Sequence, residues 1–159
     1  MNRFLRIAGA LLPALLLPTV PVHSAVTATQ TVTLIGAVLN TCVLTVTTPG
    51  VLSPLSSGTQ LASDTLGGVP AVLAVVSTGA RPTLGFSAPT IAGPVGSGSS
   101  TASIAYTSTS GASQSFTTGA SSAQSSSLLD TYTINAHVDN STGFPTGTYT
   151  VSSTVTCQQ

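Results

Sequence analysis

The chain has no lysine, no glutamate and no tryptophan, and only 4% of its residues are charged. Two of its three arginines, Arg3 and Arg6, lie at the N-terminus, so no basic patch for nucleic acid or an anionic membrane surface can be assembled. General acid–base catalysis needs paired titratable groups, and beyond residue 24 the supply is His137, Asp64, Asp130 and Asp139. A Ser-His-Asp set can be drawn on paper from these and any of dozens of serines, which is why the pattern selects nothing. The Gly96-Ser97-Gly98-Ser99 stretch sits in a Gly/Ser-rich linker rather than between a strand and a helix. The expectation is a non-enzyme with no catalytic residue and no cofactor. A structural zinc wants four Cys or His ligands, and only Cys42, Cys157 and His137 are left after residue 24, so no metal site is expected either.

What is present begins with a leader. Arg3 and Arg6 precede an apolar core over residues 7–20 that Pro13 and Pro18 interrupt, too short and too broken to span a bilayer. Val22-His23-Ser24 then offers small residues to a signal peptidase, predicting a signal peptide over 1–24, with cleavage after Ser24 or, alternatively, after Ala25. The mature chain would be about 135 residues, the size of one domain, with Arg81 set against three aspartates. It should be secreted, to a periplasm or cell surface, with no membrane span. In that compartment Cys42 and Cys157 are expected to form a disulfide. Asn140-Ser141-Thr142 matches an N-glycosylation acceptor, a tripeptide that arises by chance in so Ser/Thr-rich a chain.

From Val26 the even positions read Val26, Ala28, Gln30, Val32, Leu34, Gly36, Val38, Asn40, Cys42, Leu44 and Val46, while threonine fills most odd positions. Period-two alternation marks a strand with one buried face, and this frame lasts about twice a usual strand length. It describes either one long bent strand crossing between sheets, or two strand-lengths in tandem, the first free to pair with a neighbouring subunit. Residues 69–76 are a short valine-rich run suited to a fully buried central strand. Further strands are expected over 83–87, 101–108, 114–118, 128–138 and 148–157, with Ser-rich loops over 93–100 and 119–127. On the last of these strands Tyr149, Val151, Val155 and Cys157 share one face. His137 falls on the polar face of its strand, and the six aromatics beyond residue 24 are spaced as core plugs. No segment beyond the leader carries a helical stripe. Seven or eight short strands in one domain over 25–159 predict an all-β sandwich of immunoglobulin-like, Greek-key type.

Two stretches carry a resemblance. Residues 25–42 alternate up to a cysteine on the first strand, and residues 147–157 open with Gly147-Thr148-Tyr149 and alternate to the end. The chain here resembles the spore coat protein U and archaic chaperone–usher pilin families. The resemblance implies a sandwich lacking its last strand, whose groove is filled by a periplasmic chaperone and then by the N-terminal extension of the next subunit. It would make residues 25–35 the donor strand, with Val26, Ala28, Val32 and Leu34 inserted and Gly36 at its boundary. Tyr149, Val151 and Val155 would line the acceptor groove. The partners implied are like subunits and that chaperone. The function implied is a structural subunit of a surface fibre or coat.

The cysteines depart from that family, which pairs the first-strand cysteine with one on the second strand. A bridge from the first strand to the last would either flank a groove or close a self-complete sandwich, the second making the chain a secreted binding module.

Overall fold

A computed structural model describes residues 29–94 and 97–159. The expected signal peptide, Val26 and Ala28 lie outside these residues. The chain divides into two units, Met1–Ile35 and Gly36–Gln159. In the second, the strands run in chain order as β1 (Thr41–Thr48), β2 (Ser53–Pro54), β3 (Gln60–Ala62), β4 (Ala71–Thr78), β5 (Thr83–Phe86) and β6 (Thr90–Ala92). A 3-10 turn over Ser97–Ser99 leads to β7 (Thr101–Ser108), β8 (Ser113–Thr117), β9 (Ser121–Gln124), β10 (Leu129–Asp139), β11 (Thr150–Ser152) and β12 (Val155–Gln158).

The long strand β10 organises one sheet. Along one edge it pairs with β4 and then β3, and along the other with β7, giving the order β1-β4-β10-β7-β8, with β3 and β2 continuing from the far end of β10. Facing it are β12-β5-β9 and the short pair β11-β6. Every pairing is antiparallel. The all-β sandwich expected from the sequence is therefore what forms.

Taking the six principal strands β1, β4, β5, β7, β10 and β12, the sheets carry first-second-fifth-fourth on one side and third-sixth on the other. This is the immunoglobulin order without a seventh strand beside the sixth. Tyr149 adds a further likeness: its hydroxyl donates to the Pro145 carbonyl at 2.8 Å, as in the tyrosine corner of such sandwiches.

The core lies between the sheets. Leu73 and Val75 of β4, Leu84 and Phe86 of β5, Ile104 and Tyr106 of β7 and Tyr132 of β10 form one buried cluster. Leu61, Ala102 and Val138 form a second towards the other end. Each set keeps to alternate positions, because successive side chains of a strand point to opposite faces.

Four sequence expectations need correction. β4 is central, but it is buried on one face only: Leu73, Val75 and Ser77 point in, while Val76 is 47% exposed. The Ser-rich stretch read as a loop contains β9, which the β5 edge recruits through backbone pairing that serine serves as well as any residue. Phe116 is no core plug; it is 40% exposed and stacks on His137. The expected final strand over 148–157 is two strands, β11 and β12, with different partners. Between them Ser153 and Thr154 stand opposite Ser87, Ala88 and Pro89, a two-against-three mismatch of the bulge type. Serine bonds bridge the break: Thr154 N–H donates to Ser87 Oγ at 2.8 Å and Ser153 Oγ donates to the Ser87 carbonyl at 2.8 Å.

Candidate functional site

β1 starts in the register the sequence frame implies. Cys42 and Leu44 point inward and pack against the core. The ladder with β4 then shifts between Val46 and Thr48, and Val46 is 63% exposed although it belongs to the inward frame. Nothing among the described residues pairs with the outer edge of β1, whose partner is β4 alone. β12 likewise pairs only with β5, and β11 only with β6. While β8 and β9 are the terminal strands on the other side of the sandwich, on this side the edge of β1 and that of β11–β12 are thus left without a partner among the described residues.

Between them runs an apolar groove of about 480 Å³. Tyr149, Val151 and Val155, the three residues named from the sequence as groove-lining, all line it. The opposite wall is Val46, Val51 and Leu52, and Leu73, Phe86 and Ile104 of the core form the floor. From the sequence Val51 and Leu52 carry no strand and no site role; two adjacent aliphatics after Gly50 were the signal available. A second depression reaches from this groove towards Phe144, sharing Gly50, Val51, Leu52 and Tyr149 with it. There Phe144 and Tyr149 meet edge to face, ring centroids 5.1 Å apart.

One end of the seam is closed. Cys42 and Cys157 form the expected disulfide, Cα atoms 6.4 Å apart, joining strands of opposite sheets. At the same end Gln159 Nε2 donates to the carbonyls of Thr78, at 2.9 Å, and Ala80, at 2.6 Å.

Among the described residues the alternating frame is not one long strand: residues 29–40 have no strand structure, and β1 begins at Thr41. Alternation decides which face a strand would bury, but a strand needs a partner's backbone before it forms. Of the named donor residues, Val32 is 79% and Leu34 92% exposed. Gly36 is the first residue of the second unit.

The titratable groups are dispersed. His137 Nε2 lies 2.7 Å from Asp64 Oδ1 on the polar face of β10, stacked on Phe116 with centroids 3.7 Å apart. Among the described residues no hydroxyl bonds the ring. Asp139 accepts from Gln60 Nε2 at 2.7 Å. Asn140, the glycosylation-type asparagine, is 1% exposed; its carbonyl accepts from Thr142 and its amide donates to Ser100 Oγ at 3.1 Å. It serves as a turn lock. No group of three His, Cys, Asp or Glu gathers among the described residues as a metal ion would require.

Among the described residues Asp130 is the one deeply buried charge, 4% exposed. It accepts from Thr109 Oγ1 at 2.9 Å, Ser110 N–H at 3.0 Å, Ser125 Oγ at 2.7 Å and the Ser110 hydroxyl. Burial, the largest single effect, would raise its pKa, but the bonds from Ser110, Ser125 and Thr109 together outweigh it and hold Asp130 at about 2. This cluster ties the β7–β8 turn to β9 and β10, far from the groove lining, and reads as a structural fastener.

Among the described residues no helix is long and apolar enough to cross a membrane. No family model, no curated protein and no solved structure matches this chain.

Proposed function

We propose that the protein is a structural subunit of a surface fibre or coat, secreted and assembled by strand addition without enzymatic chemistry. In this reading residues 36–159 form an acceptor, and the 25–35 segment of a second copy enters the groove between β1 and β11–β12. The observation that carries the reading is the apolar groove of about 480 Å³ set between two unpaired strand edges where a seventh sandwich strand would lie. An entering strand supplies main-chain bonds to both edges, and its alternate side chains fill the space over Leu73, Phe86 and Ile104. Val26, Ala28, Val32 and Leu34 have the required spacing. Each fully buried Val or Leu contributes roughly 1.5–3 kcal/mol towards holding the donor strand. Before assembly a periplasmic chaperone would cover the same seam, since open edges beside an apolar groove invite aggregation.

The self-complete binding module is the competing reading. Exposure of Val46 and Val51, at 63% and 49%, speaks against it, because a finished sandwich would cover both. Size-exclusion of the refolded mature chain with and without residues 25–35 decides. A subunit of this kind gives ladders that vanish on truncation. A stable intact monomer that also refuses an added 25–35 peptide overturns the proposal.

A further inference from the structure

The seam is not equally open along its length. We infer that the Cys42–Cys157 disulfide is the end stop for an inserted strand, fixing the register in which a second copy's 25–35 segment seats; this rests on the strand-addition reading above. A strand held between two others lies about 4.7–4.9 Å from each, so its neighbours stand roughly 9–10 Å apart. At the bridge the two Cα atoms are 6.4 Å apart, and no third backbone fits between them. Packing along β1 follows the same gradient: Cys42 and Leu44 sit against the core, whereas Val46 is 63% exposed. The seam is therefore shut at the bridge, and β1 borders the groove by Val46.

The stop also determines where the other end of the donor goes. From Tyr149 to Val155 the acceptor wall offers seven residues, roughly 20 Å of strand. The inward frame of the donor, Val26 to Leu34, spans nine residues, roughly 27 Å. Blocked at the cysteines, the surplus of about two residues runs past Tyr149 into the second depression. One terminal side chain of the donor frame thus rests on Phe144, which makes Phe144 a register-setting residue of the acceptor. Without the bridge, the strand could slide towards Thr41 and leave Phe144 uncovered.

The test uses the mature chain with Val32→Asp and Leu34→Asp, so that its own donor is disabled and the groove is free, together with a synthetic 25–35 peptide. Amide hydrogen exchange is followed along β1, β11 and β12 with and without peptide. Expected is a slowing of about tenfold or more over 45–52 and 149–155, with less than about a twofold change over 41–43 and 156–158. Phe144→Ala should weaken peptide binding by about tenfold while the bridged protein keeps its fold. In a Cys42→Ala, Cys157→Ala variant, protection should spread to 41–43 and the Phe144→Ala penalty should shrink. Should that variant not fold, the exchange pattern of the bridged protein decides alone. A peptide that binds and protects 41–43 and 156–158 in the bridged protein overturns the end stop and leaves strand addition standing. Failure of the peptide to bind at all overturns both.

Discussion

Phe86 and Tyr106 stack across the sandwich, ring centroids 4.3 Å apart and planes inclined by 19°. Both rings are almost wholly buried, and the Tyr106 hydroxyl has no hydrogen-bond partner among the described residues. A buried unsatisfied hydroxyl costs about 1–3 kcal/mol, so Tyr106→Phe should keep the stack and stabilise the protein by about 1 kcal/mol. Phe86→Ala removes the partner ring and should cost about 3–5 kcal/mol. Urea denaturation of the two variants reads both effects, and a destabilised Tyr106→Phe would show that the hydroxyl is satisfied after all.

Asp130 gives the protein an acid limit. Its pKa is held at about 2 in the folded state against the ordinary carboxyl value of 3.8. Because the folded value is the lower one, its contribution is complete above the unfolded pKa and drains away as pH falls from about 4 through about 2. The shift corresponds to about 2 kcal/mol. Denaturation curves at pH 7, 4 and 2.5 should lose most of that amount, chiefly between pH 4 and 2.5, and Asp130→Asn should be weaker at pH 7 with a flatter acid dependence.

Removing the Cys42–Cys157 bridge releases a loop with a sequence separation of 115. On the chain-entropy model the loss is about 4–5 kcal/mol. A thermal midpoint that barely moves in the double alanine variant would mean that the two edges are held together by packing at that end.

Val46 separates folding from assembly. At 63% exposure, Val46→Asp should change monomer stability by no more than about 0.5 kcal/mol. The same carboxylate would face the apolar floor once a strand entered, so ladders should disappear. Persistence of ladders would place the assembly surface elsewhere.

On the donor side, Val32→Asp with Leu34→Asp alters residues that are 79% and 92% exposed. At concentrations too low for ladders to form, the variant chain should unfold at the same urea concentration as the parent. Mixed with parent chain, it should still accept a strand but not donate one, capping ladders at one end in native gels.

Much of this fold is written locally. The faces of β1, β7 and β10 could be read from single residues: Cys42 and Leu44 inward, Ile104 and Tyr106 inward, Tyr132 and Val138 inward. Tyr149, Val151 and Val155 were legible as one face for the same reason, and they line the groove. Two cysteines beyond an expected leader were enough to expect the bridge.

Other features depend on partners far away in the chain. The break between β11 and β12 exists because Phe86 and Thr90 sit one residue out of step with Val155 and Ser152, which no window of residues 148–157 contains. Serines at 121–124 form a strand because β5 lends its edge, and residues 29–40 remain without strand structure despite a stronger alternating pattern. Composition and periodicity determined that this chain makes strands, and which side of most of them would seek the core, since a period of two is a property of neighbouring residues. Only the tertiary structure decided which strands find partners and which edges stay open, because each ladder bond joins two segments whose meeting depends on the whole arrangement.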